Sequence, residues 1–349
     1  MSGFDPSTTR IDELVADVGL SRVKSPLDRL AERRFYFVTG KGGVGKTTIT
    51  AALALAMAAR GKKVLIAMCN TKERLSALLG SAPIGDKVVP VAEHVWAVNM
   101  IPETAVYEYG EMVLKSKTVT NALFGNKYVQ AFFRAVPGLH EWTMLGKAWF
   151  HTTETDKHDK NRFDVVLLDA PATGHGLDML RVPKVILDVV PPGVLRRDAE
   201  KAWALFTDET KAGVIVVTLP EELPVTETEE LITALKNELG LPLAQVVVNG
   251  VLPPLFSDAE RPHLAKANAL LEVRAPGAAT TTTRAIAIAG ARRAVREDVQ
   301  LDSLKRLHAF LAKSKAEVSW LPFLFEEAST KRGTELLARE FLQRTVIGR

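Results

Sequence analysis

This sequence predicts an α/β fold, a mostly parallel twisted sheet with helices on both faces and an inserted helical subdomain. Three observations predict it: apolar runs that do not alternate with polar residues, helical patterns between those runs, and a glycine-rich turn joining one run to a helix. The chain has 349 residues, 47% hydrophobic and 25% charged, which excludes bulk disorder and allows a large core.

Residues 1–33 read as a polar leader with a short helix from Thr8 to Val18, closed by Gly19. The main domain then runs over 34–349. Phe35 to Thr39 reads as a strand, the Ala-rich stretch Thr48 to Arg60 as a helix, and Lys63 to Met68 as a second strand. Together they form a βαβ unit, whose strands must be parallel. Further strands are expected at Val165–Leu168, Val214–Val217, Val246–Val248 and near Glu317–Trp320, with a helix from Thr226 to Leu239. Thr280 to Thr283 reads as a loop feeding a helix through a threonine cap. Cys69 reads as a small apolar strand residue.

Between residues 103 and 158 no strand signal appears and apolar residues recur at helical spacing, so this segment is the expected insert. Trp142, Leu145 and Trp149 share one helix face, with Phe132, Phe133 and Leu139 just upstream. Two readings of that face are open: packing onto the sheet domain, or a groove for a hydrophobic client or partner helix. His151 and His158 read as surface residues. Arg292, Arg293 and Arg296, interleaved with Glu297, Asp298 and Asp302, read as a solvated helix face, with a partner or acidic-lipid surface as the other option.

The glycine-rich turn is Gly40-Lys41-Gly42-Gly43-Val44-Gly45-Lys46-Thr47, followed by Thr48. It fits G-x-x-x-x-G-K-[ST] with the required strand before it and helix after it, the mark of a P-loop NTPase. Chance alone would place the four fixed positions in about one chain of this length in a hundred, before that context is counted. The glycines allow a tight turn whose amides point at phosphate oxygens, at the positive end of the following helix. Lys46 would neutralise the β and γ phosphates of ATP, and the Thr47 hydroxyl would take a position on Mg2+. Asp169, at the end of its apolar strand, is the expected water-mediated magnesium partner at the carboxyl edge of the sheet. After it, Pro171-Ala-Thr173-Gly174-His175 reads either as a segment that responds to the γ-phosphate or as a structural turn. Asn249, with Gly250 behind it, offers an amide that can pair with adenine, or is an ordinary turn.

Gly40-Lys-Gly-Gly-Val-Gly-Lys-Thr-Thr48 together with Asp169-Ala-Pro-Ala-Thr-Gly-His175 resembles the ArsA/GET family of arsenical-pump and tail-anchored-protein-targeting ATPases, from about residue 34 to 345. The resemblance implies a deviant Walker A loop and a nucleotide-sandwich dimer in which Lys41 reaches the phosphates of the opposing subunit. It also implies an adenine contact at Asn249 and an adenine-side loop at Leu321-Pro322-Phe323-Leu324. Two departures stand out. Asn70 occupies the place of the family aspartate that positions the attacking water, and Asn cannot remove a proton, so hydrolysis is expected to be slow or partner-dependent, with Glu73 as a substitute. There is no CxxC, since Cys69 is the single cysteine, so no zinc is expected. The same lone thiol gives little support to arsenite binding.

Lys plus Arg total 45 against 41 for Asp plus Glu, a formal charge of +4, so no nucleic-acid partner is expected. The N-terminus lacks a basic head followed by an apolar run, and the uncharged stretch Thr47–Ala59 is shorter than the ~18 residues of a membrane span. A cytoplasmic location is the expectation. The function these readings favour is a dimeric Mg-ATP-dependent switch that pairs with itself or with a related subunit and controls an apolar surface. The alternative is a nucleotide-sensing subunit of a hetero-oligomer that does not hydrolyse.

Overall fold

The computed structural model describes residues 32–69, 72–114, 138–155, 160–171, 173–257, 259–264, 282–312 and 317–343, together with Leu27, Leu30, Ser116, Thr118 and His158. In chain order the strands are β1 (Phe35–Thr39), β2 (Val64–Cys69), β3 (Val89–Ala92), β4 (Val95–Met100), β5 (Val165–Asp169), β6 (Ala212–Thr218), β7 (Leu243–Val251) and β8 (Val318–Pro322). The helices are α1 (Lys46–Ala58), α2 (Leu75–Leu79), α3 (Pro102–Leu114), α4 (Leu139–Thr153), α5 (Thr173–Val189), α6 (Val194–Phe206), α7 (Glu222–Ala234), α8 (Thr282–Leu311) and α9 (Lys331–Gln343). A π-helical turn, Leu235–Leu239, prolongs α7.

The eight strands form one sheet in the order β3-β4-β2-β5-β1-β6-β7-β8. Every neighbouring pair is parallel except β3 with β4. The expected α/β fold is therefore found, and the reason lies in strand composition. β1, β2, β5 and β6 are buried at every position, as strands covered on both faces must be. Successive side chains of β1 divide between the layers. Phe35 and Phe37 join the core under α4, α5 and α6, while Tyr36 and Val38 join the core under α1, α2 and α9. Phe35, Phe37 and Phe206 of α6 form an aromatic trio with ring centroids 4.8 to 5.0 Å apart.

Three features differ from the sequence reading. The hairpin β3–β4 carries no strand expectation: β3 is short and contains Pro90, a residue that sheets accept at an edge, while β4 is an interior strand that was not read. The stripe on α4 packs inward: Trp142 and Leu145 are fully buried and Trp149 packs against the same core, so this face is a seam of the fold. His151, expected at the surface, is only 7% exposed and lies 2.8 Å from Glu154 through Nδ1. His158 is exposed as expected. Phe132 and Phe133, the side chain of Leu139 and the helix expected from Thr8 to Val18 lie outside the described residues. Ahead of β1, Leu27 and Leu30 are buried in the α1 layer, and the Tyr36 hydroxyl donates to the Leu30 carbonyl at 2.7 Å.

Candidate phosphate-binding site

The turn from β1 to α1 carries Gly40 to Gly45, and three of its glycines have positive φ. At Gly40 (φ 147°) a Cβ would stand 2.1 Å from the Val217 carbonyl oxygen of β6, so only glycine lets β1 leave the sheet here. Gly45, at φ 93°, is the residue from which α1 starts, and a Cβ on it would meet the Asn249 amide at 2.6 Å. No acidic residue lies in the first turn of α1, so no side chain of the helix itself offsets its positive end.

The cationic and hydroxyl groups converge behind that turn. Lys46 Nζ donates to the carbonyls of Gly40 and Lys41 at 3.0 Å each, folding its ammonium back over the loop. Burial lowers the Lys46 pKa, and the Asp169 carboxylate opposes that shift. The Thr47 hydroxyl donates to Asp169 Oδ2 at 2.6 Å. Asp169 closes β5, is 2% exposed and pairs in register with Met68 of β2 and Val38 of β1. Burial pushes its carboxyl up to about 6, against the opposing pull of Thr47, Lys46 and Thr50. A hydroxyl and a carboxylate oxygen side by side are hard donors that fit magnesium, which commonly keeps waters and phosphate oxygens as its other ligands. Among the described residues no group of three or more His, Cys, Asp or Glu is placed to hold a metal.

Asn70 and Thr71 lie outside the described residues. Glu73, expected as a substitute for the missing aspartate, is engaged elsewhere: its two carboxylate oxygens accept from Ser76 N and Oγ, each at 2.7 Å, at the start of α2. Pro171 precedes α5, whose first turn contains Thr173, Gly174 and His175; Ala172 and the side chains of Thr173 and His175 are outside the described set. Gly176 is packed tightly there, since a Cβ would meet the Pro171 carbonyl at 2.8 Å and Thr39 Oγ1 at 2.9 Å. Cys69 is a buried strand residue as expected, and burial with Asp169 nearby pushes its thiol up, which disfavours the thiolate.

The residues expected on the adenine side also come together. Asn249 Nδ2 donates to the Val44 carbonyl at 2.9 Å, tying β7 to the phosphate loop. Phe323 N donates to the Val251 carbonyl at 2.9 Å, and Pro322 pairs with Val251, which sets Pro322-Phe323 beside the strand end that carries Asn249-Gly250. The Arg296 guanidinium stands 5.2 Å over the Phe323 ring, and a cavity of about 70 Å³ lies among Pro220, Gly250, Arg296 and Phe323. The charged run of α8 is more than the solvated face that the sequence suggested. Glu297, 4% exposed, binds Arg293 and Arg261 at 2.7 Å each and accepts from Leu255 N at 3.0 Å. Gln300 accepts from Leu252 N at 2.8 Å and donates to Leu252 O at 3.0 Å. These two residues clamp the segment that follows Asn249. Sequence reasoning missed them, because a buried Glu and Gln in a charged helix look like their exposed neighbours.

A family model described as anion-transporting ATPase matches residues 33–191 and 195–270, well over half the chain. The chain belongs to the ArsA ATPase family. Among its relatives, ATPase BagA of Mycobacterium tuberculosis is 33% identical over 230 residues, 64% of this chain and 67% of the relative. An ATPase ASNA1 homolog of Entamoeba dispar is 27% identical over 262 residues, covering 63% and 77%. ATPase GET3B of Arabidopsis thaliana is 26% identical over 294 residues, covering 68% and 71%. The resemblance to the ArsA/GET family is thereby borne out. No helix among the described residues is long and apolar enough to cross a membrane.

Proposed function

We propose that this ArsA-family protein is a Mg-ATP-dependent dimeric switch whose nucleotide state controls an apolar client or partner surface, with slow or partner-dependent hydrolysis. The observation that carries the reading is the 2.6 Å contact between the Thr47 hydroxyl and the buried Asp169 carboxylate, beside Lys46 at the positive end of α1. A triphosphate on the loop amides would place its β and γ oxygens at Lys46, and Thr47 and Asp169 would hold the magnesium it carries. Bound magnesium supplies charge neutralisation and orients the phosphates. Asn249, Pro322 and Phe323 would receive the base. Lys41 would reach the phosphates of a facing subunit, and Asn70 would orient water without taking its proton. Pro171, Thr173, Gly174 and His175 would respond to the γ-phosphate.

The second reading, a nucleotide sensor that does not hydrolyse, is supported by the reading of Asn70 as standing in the place of the family aspartate, together with the observation that Glu73 is committed to Ser76. One experiment separates the two. ATP binding, phosphate release and molecular size are measured in the same samples of wild type, Lys46→Ala and Asn70→Asp. Lys46→Ala is expected to weaken ATP binding roughly 10- to 100-fold, the scale of a lost charge-assisted contact. Asn70→Asp is expected to raise turnover by about 100-fold, at the low end of general-base effects. Unchanged ATP affinity in Lys46→Ala would remove the site assignment. Brisk wild-type turnover that ignores Asn70→Asp would remove the slow-hydrolysis reading, and no turnover in either protein would favour the sensor.

A further inference from the structure

We propose that Glu227 is a positioning residue for Lys41, holding its ammonium on α7 until a phosphate competes for it. Lys41 is the second residue of the phosphate loop. Its main chain is fixed there, since its carbonyl accepts from Lys46 Nζ at 3.0 Å. Its side chain nonetheless leaves the loop and forms an ion pair with Glu227 Oε1. The two side chains are 25% and 28% exposed, so the pair is sheltered enough for its attraction to exceed that of a fully solvated one.

Glu227 is poorly placed to follow Lys41 if the ammonium moves. α7 is anchored by Val225, Thr228, Leu231 and Ile232, all buried, and β6, the strand that leads to it, lies beside β1. Two neighbouring acids serve other contacts: Glu229 of α7 binds Arg306 of α8 at 3.0 Å, and Glu221, just ahead of α7, lies 3.8 Å from Arg296. Glu227 pairs with the loop lysine. A carboxylate at the rim of an anion cradle repels incoming phosphate unless its charge is matched, and Lys41 matches it. When phosphate draws Lys41 away, the repulsion returns. The pair therefore sets a threshold: Lys41 transfers only to an anion strong enough to replace Glu227, such as the triphosphate of Mg-ATP on its own loop or on that of a second copy.

The inference rests on the reading that the loop holds ATP. It is tested on the full chain with Mg-ATP as the probe. Two quantities are read: nucleotide affinity, and the protein concentration at which Mg-ATP drives association. Glu227→Gln keeps shape and removes charge, and is expected to improve one or both by about 3- to 10-fold. Glu227→Asp is expected to stay near wild type, and thermal unfolding confirms that both variants fold. The gain must vanish in Lys41→Ala/Glu227→Gln relative to Lys41→Ala, which a merely structural role for Glu227 would not require. If wild type binds Mg-ATP and Glu227→Gln matches it in both readouts, or is weaker, the proposal fails while the ATP reading stands. A gain that persists without Lys41 also overturns it. Absence of any Mg-ATP binding by wild type removes the ATP reading, and this inference with it.

Discussion

The two ends of the candidate site are built in opposite ways. The phosphate end comes from one contiguous turn between β1 and α1 plus a single carboxylate at the tip of β5. The base end is assembled from β7, the exit of β8 and the side of α8, with Asn249, Phe323 and Arg296 drawn from three distant segments. At the phosphate end main-chain geometry does the work, and glycine is required because a Cβ has nowhere to go. At the base end buried side chains, Glu297 and Gln300, hold a loop that main-chain pairing alone leaves open. The phosphate end should therefore fail abruptly when touched, and the base end should loosen by degrees.

The largest effect is expected at Gly40. Gly40→Ala sets a methyl 2.1 Å from the Val217 carbonyl at a backbone φ of 147°, so β1 and β6 must separate or the turn must unwind. Loss of about 3 kcal/mol or more, together with loss of ATP binding, is expected by urea unfolding and nucleotide titration. A stable variant that still binds would break the contrast at its strong end.

Next comes Asp169, whose carboxyl burial pushes up to about 6 from the ordinary value near 4. A raised acid means that the folded protein holds the proton more tightly than the unfolded chain. Its contribution to stability is fully present below pH ~4 and is lost as pH rises through about 6. In magnesium-free buffer Asp169→Asn, which cannot ionise, should therefore gain on wild type by about 2 to 3 kcal/mol between pH 4 and pH 8. Urea unfolding of both proteins at the two pH values checks this. Parallel pH profiles would mean that the buried carboxyl carries no such strain.

The smallest effect sharpens the other side. Gln300→Leu removes both contacts to Leu252 and leaves a buried amide without an acceptor, a cost of about 1 to 3 kcal/mol. Tripolyphosphate, which has no base, should bind this variant as it binds wild type, while preference for ATP over GTP falls. Equal losses for both ligands would show that the two ends are one mechanical unit.

This contrast also explains what was legible in the sequence. The strands β1, β2, β5, β6, β7 and β8 could be read because two-sided burial writes continuous apolar runs, and the loop could be read because its glycines are forced. Thr47 and Asp169 followed from their places at a helix start and a strand end, and the structure brings them into contact. β3 escaped notice because an edge strand is short and tolerates Pro90, whereas β4 was left unread although it is an interior strand with five of its six residues buried. Glu297, Gln300 and His151 were missed for a different reason. Burial of a polar side chain depends on what packs over it, and that comes from segments far away in the chain. The Trp142–Leu145–Trp149 stripe shows the same limit from the apolar side: its periodicity fixed the helix face but not whether a partner or the sheet covers it.

Leu27 and Leu30 belong to the folded unit. Both side chains fill the layer under α1, and the Leu30 carbonyl is the partner of the Tyr36 hydroxyl. A protease trimming the chain up to residue 33 would not shed a tail. It would pull two plugs from the floor beneath β1 and strand a tyrosine hydroxyl at the root of the very strand that launches the phosphate loop.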